Sequence, residues 1–195
     1  MLRSDLTVIS QLVPEKARIL DLGCGDGELL AYLSQAKQVR GSGIELSESN
    51  VLTCVRRGLS VRQGNLQEGL ADYPDGIMDI VILSQTLPFL NKPAEIITEM
   101  LRVGECAIVS LPNWGHWRCR LEFLFSGRVP QSPAFEQTWD GPKRWQISTL
   151  ADFEDLCQWI DVDLAERVFL SGNQRITENE NWAARTAIYM LKKKC

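Results

Sequence analysis

Histidine is almost missing from this chain: one residue, His116, among 195. A metal site built on several imidazoles is thereby excluded. Cys24, Cys54, Cys106, Cys119, Cys157 and Cys195 are scattered with no C-x-x-C pair, so neither a zinc site nor a disulfide framework is expected. Buried free thiols are the simpler reading. Positive charge is also scarce, with 21 Lys and Arg against 25 Asp and Glu, a formal net charge of −4 and a pI near 5.2. A general binder of nucleic acid or of an anionic membrane, which draws affinity from excess Lys and Arg, is therefore not expected. The basic run Lys192-Lys193-Lys194 reads as a solvated terminus. No apolar run has the length of a membrane span, and "MLRSDLTVIS" lacks the unbroken apolar stretch of a secretion signal. The expectation is a cytoplasmic protein. Internal repeats, low-complexity segments and linkers are absent too, so residues 1–195 read as a single domain.

What is present is an alternation of short β-rich runs with stretches of helical period, the pattern of β-α-β units in a parallel sheet. "ARILDLG" is an apolar run of strand length, and "GELLAYLS" follows it with Leu29, Leu30 and Leu33 spaced for a helix. "QVRGSGIEL" reads as a second strand, "ESNVLTCVRRG" as a helix closed by Gly58, and "LSVRQGNL" as a third strand. "MDIVILSQTL" has nothing charged from Ile80 to Leu83 and is expected at the sheet centre. "KPAEIITEMLRVG" predicts a helix with Pro near its start and Gly104 as its stop, and "CAIVSLPN" a fifth strand. Regularity then breaks. Residues 114–147 form a long connection carrying Trp114, Trp117, Trp139 and Trp145, within which "GHWRCRLEFLF" predicts a helix with Trp117, Leu121, Leu124 and Phe125 on one face. "TLADFEDLCQWI" predicts a helix capped by its threonine, and "DLAERVFLSG" and "ARTAIYMLKK" two closing strands.

Chemistry concentrates in "RILDLGCGDGELL", where Gly23, Gly25 and Gly27 separate the first strand from the first helix. That turn falls at the carboxyl edge of the sheet, where open α/β folds bind ligands. A dinucleotide fingerprint, G-x-G-x-x-G, requires glycine at position 28, and this chain has Glu28. Asp21 and Asp26 flank the turn and would repel a pyrophosphate where amide N–H groups and a helix dipole should attract it. A ligand with a sulfonium and an ammonium group and no phosphate suits two carboxylates, and S-adenosylmethionine is such a ligand. Glu45, 20 residues beyond Gly25 and ending the second strand, is placed to accept hydrogen bonds from ribose hydroxyls. A nicotinamide oxidoreductase is disfavoured by Glu28 and the paired acids. The alternative to any ligand is a tight turn with solvated acids, and the combination of Asp21, the G-x-G-x-G spacing, Glu45 and the strand order argues against it.

"ILDLGCGDG" resembles the first motif of the class I S-adenosylmethionine-dependent methyltransferases. The resemblance implies a Rossmann-like α/β fold with a mostly parallel seven-stranded sheet and helices on both faces. It further implies that Asp21 and the backbone from Gly23 through Cys24, Gly25 and Asp26 to Gly27 hold the methionine part of S-adenosylmethionine or S-adenosylhomocysteine, and that Glu45 holds the ribose. Leu46 would pack on the adenine, Asn65 and Leu66 of "GNL" would lie near it, and Ser84 and Gln85 would face cofactor or acceptor. Many relatives have aspartate at the place of Asn65, whose carbonyl can still accept a hydrogen bond. "SQTLPF" lacks the N/D-P-P-Y/F pattern of many amino-group methyltransferases. His116 is a candidate base, although a loop histidine held between two tryptophans is the simpler reading.

"PNWGHWRCRLEFLFSGRVP", with "LDLGCGDGELL" and "EMLRVG", resembles the bacterial MetW family of methionine biosynthesis proteins. "GPKRWQ" departs from that pattern, and "ENENWAARTAIYMLKKKC" lies outside the matching part. The resemblance implies a partner, homoserine O-acetyltransferase, whose activity the protein aids. The alternative is an active S-adenosylmethionine-dependent methyltransferase acting on a small molecule. Trp114, Trp117, Phe123, Trp139 and Trp145, interleaved with Arg118, Arg120, Arg128, Lys143 and Arg144, suit either a contact surface or a lid over the pocket.

Overall fold

The structure is a computed structural model and describes residues 2–130 and 145–194. The parallel strands β1 (Arg18–Leu22), β2 (Arg40–Glu45), β3 (Ser60–Gln63), β4 (Met78–Ser84) and β5 (Gly104–Pro112) continue into β6 (Val162–Ser171), β7 (Gln174–Ile176) and β8 (Thr186–Lys193). They form one sheet of order β3-β2-β1-β4-β5-β8-β6-β7, with β8, β6 and β7 antiparallel to their neighbours. The mostly parallel Rossmann-like architecture is the expected one, but the described residues hold eight strands rather than seven. The addition is β7, a three-residue strand folded back on β6 so that Ser171 faces Gln174 across Gly172 and Asn173. A two-residue hairpin of this kind needs positive φ, which Gly172 supplies at +62°.

Helices α1 (Ser4–Leu12), α2 (Glu28–Lys37), α3 (Glu48–Arg56), α4 (Pro93–Val103), α5 (Trp117–Ser126), α6 (Leu150–Trp159) and α7 (Glu180–Ala183) surround the sheet. None of the described helices is long and apolar enough to cross a membrane. Side chains alternate across each strand, so the sheet feeds two cores. Ile19, Ile80, Ile82, Ile108 and Ile188 pack under α1 and α2. Leu20, Val81, Leu83, Val109 and Tyr189 pack against α4 and α6 on the opposite face. β4 runs through the middle with Ile80 to Leu83 all buried, as its uncharged run predicts. Thr149 caps α6 in a reciprocal box with Asp152, accepting at 3.2 Å from the Asp152 N–H while the Asp152 carboxylate accepts at 2.7 Å from the Thr149 N–H.

α5 forms where its period predicts, but the expected apolar face is not buried. Trp117, Leu121, Leu124 and Phe125 are 36%, 36%, 71% and 81% exposed, and Cys119 is the buried residue of the helix. The reason is its anchorage: the helix is held at its amino end, through Asn113, His116 and Arg120, and contributes to neither large core. Trp114 behaves oppositely, buried and stacked on Trp145 at 5.0 Å. Trp139, Lys143 and Arg144 lie outside the described residues. Among the described cysteines all are free thiols, four of them buried and Cys106 partly so.

Candidate functional site

The site is built where sheet alternation turns polar. On the face under α1, β1 runs Ile19 then Asp21, β4 runs Ile82 then Ser84, and β5 runs Ile108 then Ser110. The register sets Asp21 beside Ile82 and Ser84 beside Ser110. Polar side chains thus gather at the carboxyl ends of adjacent strands, the edge at which open α/β sheets take ligands.

The glycine turn follows β1 directly. Gly23, Gly25 and Gly27 have φ of +69°, +58° and +79°, a region that favours residues without Cβ. Their roles separate on contact. A Cβ on Gly27 would lie 2.5 Å from Leu59 Cδ1, whereas one on Gly25 would meet nothing within 4 Å. Gly27 therefore serves packing of α2 onto α3's end, and Gly25 opens onto free space. Asp21, Gly23, Cys24, Gly25, Ser84 and Gln85 line one open cleft, joined by Asp26 and, from α1, by Arg3 and Leu6.

Asp21 is the unusual group in that cleft. It is only 2% exposed, and its carboxylate has no hydrogen-bond partner among the described residues. Burial pushes its pKa up to about 7; the neighbouring charge of Glu45 adds to the rise and Arg3 opposes it. Such a carboxylate, desolvated and unpaired, gains most from a cation delivered by a ligand. Glu45 is already engaged: Oε2 accepts from the Gly25 N–H and Oε1 from the Ser47 N–H, both at 2.9 Å. Oε1 also accepts from Asn50 Nδ2 at 3.5 Å, so Oε2 is the oxygen that keeps a second lone pair.

Asp26 is differently placed from Asp21. Its carboxylate pairs with Arg57 at 2.9 Å on the surface and accepts from the Glu28 N–H at 3.3 Å. The repulsion of a pyrophosphate therefore rests on Asp21 with Glu45 behind it. Cys24 is buried in the turn, and burial raises its thiol pKa. Such a thiol is no nucleophile.

The remaining sequence candidates sit around the cleft rather than in it. Leu46 is 63% exposed just beyond Glu45, and its carbonyl accepts from Gln63 at 3.4 Å. Asn65 caps the short helical turn Leu66–Glu68 by accepting from the Gln67 N–H at 3.1 Å, and Leu66 packs on the core under α4 and α6. His116 does not line the cleft. Its Nδ1 accepts from the Arg118 N–H at 3.2 Å as the cap of α5, while burial and then Arg185 and Arg118 lower its pKa and keep the ring neutral.

Sequence reasoning missed Arg3, Asp5 and Ser110. Asp5 is buried on α1 and accepts from Ser84 Oγ at 3.5 Å; the Ser84 and Ser110 hydroxyls are 3.1 Å apart. Ser110 Oγ in turn accepts from Gln85 N and Nε2 at 3.2 and 3.3 Å. These bonds, with the Gln85 N–H donating to the Ser110 carbonyl at 2.9 Å, hold Gln85 in a left-handed conformation of φ +54° that costs a side-chain-bearing residue of order 1 kcal/mol. Gln85 Oε1 is left buried with no partner among the described residues. The polar interruption of the β4 and β5 alternation at Ser84 and Ser110 is the signal that could have found this network.

Comparison with known proteins now bears on the site. A family model described as "Methionine biosynthesis protein MetW" matches residues 3–191. The chain belongs to the MetW family. A "Bifunctional methionine biosynthesis protein MetXA/MetW" of Rhodopirellula baltica is 34% identical over 186 residues, covering 88% of this chain and 30% of that protein. The chain spans between 30% and 51% of the lengths of the curated relatives it matches. In fold, this MetW-family chain is similar to an S-adenosylmethionine-dependent methyltransferase of Thermotoga maritima described as a possible histamine N-methyltransferase. The TM-score is 0.69 at 19% identity, covering 98% of this chain and 88% of that one. It is also similar to the [4+2]-cyclase SpnF, with a TM-score of 0.67 at 19% identity, covering 97% of this chain and 80% of that one. The family lies on a Rossmann-like methyltransferase fold, and that fold carries more than one reaction.

Proposed function

We propose that this MetW-family chain binds S-adenosylmethionine or S-adenosylhomocysteine in the cleft at the glycine turn and, in the cytoplasm, assists homoserine O-acetyltransferase. The observation that carries the ligand is Asp21, a buried carboxylate with no hydrogen-bond partner among the described residues, lining the same cleft as the open Gly25. The residues suit the ligand in kind: a carboxylate for a cationic group, Glu45 for ribose hydroxyls, exposed Leu46 for adenine, and no concentration of cations for a phosphate. When bound, S-adenosylmethionine supplies a transferable methyl group. Among the described residues the cleft lining binds and orients, and His116 is not part of it, its Nδ1 capping α5.

Support for the partner comes from the Rhodopirellula relative, whose name joins a MetXA to a MetW part in one protein. The exposed side of α5, with Phe123, Leu124 and Phe125 at 59%, 71% and 81% exposure beside Arg128, is the contact surface we assign to it. Titration calorimetry with S-adenosylmethionine, S-adenosylhomocysteine and NADH tests the ligand. Binding of the first two and silence with NADH is the expected result, and tight binding of NADH alone overturns it. Copurification with homoserine O-acetyltransferase, accompanied by a rise in its activity, tests the role; absence of any complex at micromolar concentrations overturns that part.

A further inference from the structure

The charges of α5 are reversed for a helix. Asp5, Glu28, Glu48, Glu95, Asp152 and Glu180 put an acid in the first turn of each of the other described helices, where it meets the positive end of the peptide dipole. The first turn of α5 has no acid and holds Arg118 and Arg120 instead. Arg120 is used within the chain: it donates through Nε to the Gly115 carbonyl and through Nη2 to that of Asn181 at 3.4 Å, and it stacks on Trp182 at 5.3 Å. Arg118 lies 5.2 Å over the Trp117 ring and makes no ion pair among the described residues. Neither does Arg128, just beyond the Gly127 that ends the helix. Both residues are exposed. Between them the surface is apolar: Leu121 and Phe125 follow Arg118 at helical spacing, with Leu124 beside them and 71% exposed.

We infer that α5 docks on a protein surface with an apolar floor and an acidic rim, Arg118 and Arg128 facing the partner's carboxylates while Leu121, Leu124 and Phe125 are covered between them. Charge complementarity points to an acidic partner. Residues 113–130 carry three arginines and one glutamate in a chain of 21 basic and 25 acidic residues, so this stretch is positive where the chain as a whole is negative. A carboxylate from the partner offsets the repulsion that Arg118 meets at the amino end of its own helix. A second copy of this chain offers no such match, because an isologous contact sets one basic face against another. An anionic membrane fits less well, since a ten-residue helix with Glu122 in its middle and two unpaired cations attracts weakly on a chain of net charge −4. The inference rests on the reading of homoserine O-acetyltransferase as the partner, and it names the chemistry by which that partner is recognised.

The test measures the affinity of the full chain for homoserine O-acetyltransferase at low and at moderate salt, roughly 50 and 300 mM NaCl. Wild-type affinity is expected to fall about tenfold between the two. Arg118→Glu with Arg128→Glu is expected to weaken the complex about tenfold at low salt and to flatten its salt dependence. Arg40→Glu with Arg56→Glu, an equal change of charge at exposed positions of β2 and α3, is expected to leave both unchanged. A glutamate in place of Arg118 suits the first turn of α5, so the thermal midpoint of the first double variant is expected to match wild type. A marked fall in that midpoint shows the face to be covered from within the chain and overturns the inference. Equal weakening by the two double variants assigns the effect to net charge and also overturns it. So does unchanged affinity of the first, which leaves the partner reading standing. Binding of wild type to phosphatidylglycerol vesicles, or a dimer of this chain, either one lost in the Arg118 and Arg128 variant, overturns it in favour of a membrane or a second copy. If wild-type protein forms no complex with the enzyme even at low salt, the partner reading itself falls, and this inference with it.

Discussion

At the scale of single residues the site turns on Asp21. Its carboxyl titrates near pH 7 in the folded chain and near 3.8 in an unfolded one, so between those values the folded state holds the extra proton. Stability from this group is therefore highest at low pH and is lost as pH rises through about 7, with a ceiling of roughly 4 kcal/mol at ~1.4 kcal/mol per pH unit. Asp21→Asn removes that loss. Urea denaturation at pH 8 should show the variant more stable than wild type, with the gap narrowing as pH falls below about 7 and closing near pH 3.8; a constant gap would argue that burial of the charge is not its cause. Ligand binding runs the other way, since a cationic tail needs the ionised form. Affinity for S-adenosylhomocysteine is expected to rise about tenfold from pH 6 to pH 8 in wild type, and to be weak and flat in Asp21→Asn. Asp21 was legible because it stands beside glycines in a contiguous motif. Arg3 was not, because only the packing of α1 over the strand ends brings it to the cleft, and nothing between residues 3 and 21 marks that approach. Asp26 lines the same cleft while its carboxylate pairs with Arg57.

At the scale of elements, apolar pattern predicted existence well and burial less well. β4 could be placed centrally because four consecutive apolar residues suit only a strand covered on both faces. α1 escaped notice because Asp5 and Ser10 interrupt its buried face, and those polar residues are buried for the network they serve or for local bonds to the helix backbone. α5 is the opposite case: its apolar spacing is real, but the helix presents it outward. A surface of that kind is costly to keep unless something covers it. Leu124→Asp with Phe125→Asp should leave the thermal midpoint within about two degrees of wild type, as expected of exposed positions. The same double variant is expected to lose copurification with homoserine O-acetyltransferase while binding S-adenosylhomocysteine normally. Retained copurification would move the contact surface elsewhere, and a large fall in midpoint would show that the face is packed within the chain.

At the scale of the whole molecule, the two cores are not independent units, because each is one face of the same strands. β1, β4, β5 and β8 each give alternate residues to the α1 and α2 side and to the α4 and α6 side, so neither core survives loss of the sheet. The cleft is tied to both: Asp21 and Ser84 belong to β1 and β4, and α1, which carries Arg3, packs on β8 and β6. We propose on this basis that residues 1–195 form a single cooperative unit, and that a ligand at the glycine turn stabilises all of it. Urea unfolding followed by tryptophan fluorescence and by far-ultraviolet circular dichroism should then give coincident transitions. The chain's six tryptophans all lie between residues 114 and 182, well away from the glycine turn in sequence, which makes the fluorescence a remote reporter. S-adenosylhomocysteine at a hundred times its Kd is expected to shift both transitions together by about 2.7 kcal/mol. A ligand-dependent phase seen in circular dichroism and missing from fluorescence would mean that α1 and the glycine turn open on their own, and the cleft would then be a locally folding element carried on a sheet that does not respond to it.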